Sequence, residues 1–131
     1  MVHGNTATTA CVLIVEDEVL VRMFAVDILE DAGFKVEQAA SGKEALAKFD
    51  EGRNVLAAII DLGLPDRSGD EVAAEIRARN SKLPILIASG RSERELKDRF
   101  AGDVAIEVLA KPYTESMLLA ALKQLGVSKP A

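Results

Sequence analysis

Four polar stretches in this chain each come at or just after the end of an apolar run. Glu16-Asp17-Glu18 follows CVLIV (11–15), and Asp61 follows VLAAII (55–60). Ser89 closes PILIAS (84–89), and Lys111-Pro112 comes just after VAIEVL (104–109). A carboxylate is costly to bury unless it is paired or bound to a metal, so Asp61 at the end of so apolar a stretch needs a partner. If these four ends meet, they bring at least three carboxylates, one hydroxyl and one ammonium to the same place. Clustered carboxylates raise one another's pKa unless a cation sits among them. Oxygen donors without His or Cys suit a hard ion, and Mg²⁺ takes one or two carboxylates, waters and phosphate oxygens. A carboxylate can also act as a nucleophile that becomes an acyl phosphate. The cation, the Lys111 ammonium and the Ser89 hydroxyl would then hold the equatorial oxygens of a phosphoryl group in transfer. Gly63 and Pro65 shape a tight loop after Asp61 whose backbone groups can face the same site.

The elements that must position these residues are legible as alternation. The apolar runs CVLIV, FKVEQA (34–39), VLAAII, PILIAS and VAIEVL are separated by amphipathic segments. The first, third and fourth are almost continuously apolar, as in strands of a parallel sheet covered on both faces. The second and fifth carry interspersed charges and suit edge positions. Helical patterns span about 18–32, ending at Gly33, and start again at Ser41, with Glu44 three residues on. Further helices span about 68–79, 92–101 (with Ser92 and Glu95 at capping spacing) and 114–125. In the last of these Thr114, Met117, Leu118, Ala121, Leu122 and Leu125 form the expected apolar stripe. Strict βα alternation predicts a doubly wound α/β sandwich with right-handed crossovers. In such a sheet ligands bind outside the carboxyl ends of the strands, which is where all four polar stretches fall.

Each stretch alone has an ordinary explanation. An acidic triplet complements a helix dipole, and Asp61 before Leu-Gly-Leu-Pro reads as a turn residue. Four such residues at the ends of the right strands, in order, make a site the better account.

Composition narrows the function classes. The chain has 131 residues, 49% apolar and 28% charged, which fits one globular domain. Residues 1–10 read as a flexible lead, 11–126 as the domain and 127–131 as a tail. No apolar run reaches the roughly 18 residues of a membrane span, and the lead lacks the regions of a signal peptide, so a cytoplasmic location without membrane insertion is expected. The net charge of −5 argues against direct nucleic-acid binding. Cys11 is the one cysteine and reads as a buried packing thiol; His3 is the one histidine and lies in the lead. A Ser-His-Asp or Cys-His site and a His-ligated zinc are therefore excluded from the domain.

The motifs VLIVEDE, AAIIDLGLPDRSG, PILIASG and AKPY together resemble the receiver domain of two-component response regulators, over about residues 11–126. The resemblance implies a flavodoxin-like (βα)5 sandwich whose five parallel strands run in the order 2-1-3-4-5. It implies that Asp61 accepts a phosphoryl group, that Lys111 pairs with it and that Ser89 follows it. Glu16, Asp17, Asp61 and the Gly63 carbonyl would hold Mg²⁺, for which Mn²⁺ can substitute. Gly69 matches the glycine that opens the third helix. The implied partner is a sensor histidine kinase or histidine phosphotransfer protein, and the implied role is a signalling phosphoacceptor rather than an enzyme. The chain is similar both to stand-alone receivers and to those at the C-terminal end of hybrid sensor kinases, and no downstream target follows from either. Where receivers often carry a switching aromatic, three positions before the lysine, this chain has Val108.

Two other readings use the same residues. A haloacid-dehalogenase-like phosphatase also has an Asp nucleophile after a strand, but needs a second Asp two residues on, where Gly63 stands. A degenerate, phosphorylation-independent receiver would have lost one of Asp17, Asp61, Ser89 or Lys111. On the first helix, Val21, Phe24, Ala25, Ile28, Leu29 and Ala32 are expected in the core. Val19, Met23 and Val26 form a second stripe beside the acids, expected to dock the phosphodonor's helix.

Overall fold

The computed structural model describes residues 10–90 and 93–129. Strands β1 (Ala10–Val15), β2 (Lys35–Ala39), β3 (Asn54–Asp61), β4 (Ile85–Ser89) and β5 (Ile106–Ala110) alternate with helices. These are α1 (Val19–Asp31), α2 (Gly42–Asp50), α3 (Gly69–Arg79), α4 (Glu93–Arg99) and α5 (Glu115–Gln124). All strand pairs are parallel, in the order β2-β1-β3-β4-β5, so the charged strands β2 and β5 take the edges as expected.

The continuous apolar runs have a direct cause in the pleat, which sends alternate side chains to opposite faces. Leu13 and Val15 of β1, Ala58 and Ile60 of β3, and Ile85 and Ile87 of β4 meet Leu46 of α2, Ile76 of α3 and Leu96 of α4. Val12, Ile14, Ile59 and Leu86 point the other way, onto Ala25 and Leu29 of α1 and Leu118 and Leu122 of α5. Central strands must therefore be apolar at every position. Each such side chain, fully buried, contributes about 2 kcal/mol. Cys11 is a buried free thiol, as expected.

Helix ends follow local chemistry. At the end of α1, Gly33 takes φ +96°, while its N–H bonds the Glu30 carbonyl and that of Phe34 bonds the Leu29 carbonyl. This left-handed turn closes the helix with both terminal carbonyls satisfied and favours glycine. At the start of α2 the Ser41 hydroxyl accepts from the Glu44 amide, and Glu44 reaches back to the Ala40 amide at 2.6 Å. Ser68 and Thr114 cap α3 and α5 in the same way. Ser92, the expected cap of α4, lies outside the described residues.

Three expectations need correction. The apolar arc of α1 centres on Ala25 and Leu29, so Val26 falls inside it and is buried, while Phe24 falls outside and is 46% exposed. Met117 leaves the buried stripe of α5, being 39% exposed, because Leu118 and Leu122 define its inner face. Val104, read as the start of the fifth strand, is 97% exposed and precedes β5. Val127, just past α5, packs into the core beside α1 and α5. Among the described residues no helix is long and apolar enough to cross a membrane.

Candidate functional site

The carboxyl ends of β1, β3, β4 and β5 converge on one rim. Glu16, immediately after β1, is held by its backbone amide, which donates to the Ala39 carbonyl at the end of β2 (2.9 Å). Asp61 is the last residue of β3, and the next amide, of Leu62, bonds the Ala88 carbonyl of β4. The Lys111 amide donates to the Ser89 carbonyl at 2.8 Å, which zips the end of β5 to that of β4. Glu16, Asp61 and Ser89 are the three buried polar residues among those described.

Of the residues singled out, the side chains of Glu16, Asp17, Asp61 and Lys111 lie together. One carboxylate oxygen from each of Glu16, Asp17 and Asp61 lies within 4.8 Å of the others. The Lys111 ammonium donates to Glu16 Oε1 at 2.9 Å and to Asp61 Oδ1 at 3.1 Å, and so bridges the two buried acids. The other Glu16 oxygen accepts from the Glu18 amide at 3.2 Å. Burial pushes the Glu16 carboxyl above its ordinary range, against the pull of Lys111. Burial also works against the Lys111 charge, but its hydrogen bonds to Glu16 and Asp61 outweigh it and raise its pKa. Three acids facing one ammonium leave an excess of negative charge among oxygen donors alone. That donor set fits a hard divalent cation.

The loop from Asp61 to α3 is fastened at both ends. A Cβ on Gly69 would stand 2.5 Å from the Asp61 carbonyl oxygen and 2.8 Å from Leu62 Cα, so only glycine allows α3 to start this close to β3. Midway, Asp66 accepts the Gly42 and Lys43 amides at 2.9 Å each and so occupies the first free donors of α2. Gly63 lies exposed within this tethered loop, and a Cβ on it would sit 4.0 Å from an Asp61 carboxylate oxygen. Sequence reasoning missed the Asp66 contact, which joins residues 23 and 24 positions apart.

Beside the acids, an open hollow of about 540 Å³ lies between the start of α1 and the loop after β5, lined by Leu20, Val21, Phe24, Pro112 and Tyr113. Leu20 and Phe24 of this lining are exposed, as are Val19 and Met23 on the same helix, and the Phe24 ring lies 6.0 Å from that of the buried Tyr113. Val19 and Met23 are 55% and 53% exposed. Val26 is buried, whereas Leu20 and Phe24 are exposed. The spacing 19, 20, 23, 24 carried that signal, since it marks one helix face. A larger hollow of about 730 Å³ at the opposite end of the sheet includes Arg53, which is already paired with Glu37 and Glu51.

Comparison with known proteins agrees with this geometry. Residues 12–123 match the family model of the response regulator receiver domain. The sensor kinase CckA of Brucella abortus is 32% identical over 118 residues, covering 89% of this chain and 12% of that protein. The transcriptional regulatory protein PdtaR of Mycobacterium tuberculosis is 34% identical, covering 96% of this chain and 60% of that protein. The chain therefore spans only part of these relatives. Among solved structures, the chemotaxis protein CheY4 of Vibrio cholerae superposes with a TM-score of 0.80 at 32% identity, covering 91% of this chain and 99% of that one. The response regulator TrrA of Thermotoga maritima, solved in complex with Mg(2+)-BeF, superposes at 0.77 with 30% identity over 88% of this chain and 98% of that one.

Proposed function

Given that the chain belongs to the response regulator receiver family, we propose that it takes a phosphoryl group onto Asp61 from a phosphohistidine of a sensor histidine kinase or histidine phosphotransfer protein. The observation that carries this reading is the bridge of Lys111 between two buried carboxylates at the strand ends, with Asp17 alongside. In the reaction an Asp61 carboxylate oxygen forms the new bond to phosphorus as the bond to the imidazole nitrogen breaks, and the imidazole leaves. Lys111 gives one of its hydrogen bonds to a phosphoryl oxygen, and the Ser89 hydroxyl approaches another. Water later cleaves the acyl phosphate and restores the carboxylate. Glu16, Asp17, Asp61 and the Gly63 carbonyl would hold Mg²⁺, or Mn²⁺ in its place, which supplies positive charge for the crowded oxygens. The product is a signal state of this protein, not a released compound, and the setting of the relay is cytoplasmic.

The same reading assigns the exposed apolar patch of Val19, Leu20, Met23 and Phe24 to the donor. It borders the acids, and an amphipathic helix carrying the histidine would bury it while bringing phosphorus in line with Asp61.

Intact mass after incubation with Mg²⁺ and a small acyl phosphate tests the reading. The wild type is expected to gain one phosphoryl group and Asp61→Asn none. Labelling of the mutant, or steady turnover of a phosphomonoester by the wild type, would sink it.

A further inference from the structure

Asp17 offers an oxygen to the acidic cluster, yet its carboxylate accepts no hydrogen bond among the described residues. Its position is inherited from its backbone. That backbone is part of a three-residue link, Glu16 to Glu18, between the end of β1 and the start of α1. One side chain bonds to it. Arg22, in the first turn of α1, donates from Nη1 to the Glu16 carbonyl at 2.8 Å. Its Nε donates to Gln38 Oε1 on β2 at 3.1 Å. The Glu16 carbonyl belongs to the same planar peptide as the Asp17 nitrogen. A bond to that oxygen therefore fixes the plane from which the Asp17 side chain departs. The Glu16 amide, bonded to the Ala39 carbonyl, fixes the plane before it. Both peptides flanking Glu16 are thus anchored, one by β2 directly and one through Arg22 to β2.

We propose that Arg22 is a positioning residue for the cation site, holding the Glu16–Asp17 peptide so that both carboxylates point into the pocket. A guanidinium suits the task because its rigid fork reaches a carbonyl and an amide oxygen at once, which a lysine ammonium on a flexible stem cannot do with the same order. Groups that orient ligands from behind commonly change metal affinity about 10-fold or more when removed. The inference rests on the reading of this pocket as a divalent-cation site.

The experiment is a titration of melting temperature with Mg²⁺ alone, which yields a dissociation constant for each variant from the ligand-linked rise in stability. Wild type, Arg22→Ala, Arg22→Lys and Gln38→Leu are compared with Arg79→Ala, which breaks a remote ion pair to Asp50. Arg22→Ala is expected to weaken Mg²⁺ about 10-fold, with Arg22→Lys and Gln38→Leu weakening it less. Arg79→Ala is expected to lower the melting temperature in chelator and leave the Mg²⁺ constant unchanged. An Arg22→Ala constant within twofold of wild type overturns the inference, because the contact is then only a structural tie. Should Arg22→Ala fail to fold, unchanged constants in both Arg22→Lys and Gln38→Leu overturn it equally. A wild type that does not respond to Mg²⁺ overturns the cation reading itself, and this inference with it.

Discussion

The Lys111 ammonium lies nearer to Glu16, at 2.9 Å, than to Asp61, at 3.1 Å. The ammonium beside Asp61 is therefore shared with a second acid, 95 residues away in sequence.

That sharing separates the roles of the partners in stability. Lys111→Met leaves two buried carboxylates facing each other without their common cation and is expected to cost about 3 kcal/mol in chelator. Glu16→Gln keeps an acceptor for Lys111 and removes a charge that burial already disfavours, so it is expected to be neutral or stabilising. Urea denaturation in chelator checks both. A larger loss in Glu16→Gln than in Lys111→Met would contradict this division.

The pH dependence of the Lys111 contribution follows from its raised pKa. A group that holds its proton more tightly when folded contributes stability fully present below its unfolded pKa and lost as pH rises through the folded value. The gap in melting temperature between wild type and Lys111→Met is expected to stay constant through neutral pH and to narrow above about pH 10.5, the ordinary lysine value. A gap that widens there would reverse the sign.

Asp66 should show the opposite limb. The Gly42 and Lys43 amides hold its carboxyl below its ordinary 3.8. Its contribution is then present above that pH and lost as pH falls through the lowered folded value. Asp66→Ala is expected to melt lower than wild type at pH 7 and to approach it in acid. A gap that stays constant from pH 7 down to pH 2 would show that the Asp66 charge contributes nothing.

Gly69→Ala places a methyl group against the Asp61 carbonyl and Leu62 Cα. Backbone cannot yield as a flexible side chain can, so the variant is expected to lose about 1–3 kcal/mol. Because the displaced strand carries Asp61, labelling by a small acyl phosphate should slow as well. Wild-type stability would mean that α3 moves off without cost.

For the docking patch, Leu20→Glu and Met23→Glu are expected to slow transfer from the protein donor at least 10-fold while leaving labelling by a small acyl phosphate near wild type. Both side chains are exposed, at 81% and 53%, so neither substitution should unfold the domain. Stopped-flow transfer rates check this, and equal rates from the protein donor would place the interface elsewhere.

Most of the architecture was readable because it rests on patterns local to the chain. Val12 to Val15 and Ala57 to Ile60 are apolar on both faces, which two-sided burial requires, and Ser41 caps its helix with its own side chain. Glu16, Asp17, Asp61 and Lys111 were readable because strand ends in this topology must share a rim. What escaped depends on distant packing. Val26 lies inside the buried arc of α1 and Phe24 outside it, and only the seat of α1 on the sheet decides this. Arg22 and Asp66 act on backbone groups 6 and 23–24 residues away, and no spacing rule marks such contacts.

The strand order carries a consequence for how the protein opens. β5 is hydrogen-bonded to β4 alone, whereas β1 and β3 have neighbours on both sides. In fluctuations short of global unfolding, a strand secured along one side detaches before the centre of the sheet. Lys111 sits just beyond that strand, so each detachment would draw the ammonium from the acids while Glu16 and Asp61 stay in place on the inner strands. The amides of Ile106 to Lys111 should accordingly exchange with solvent faster than those of Val12 to Val15. Anything that fastens β5, a bound phosphoryl group at Lys111 included, should slow that exchange.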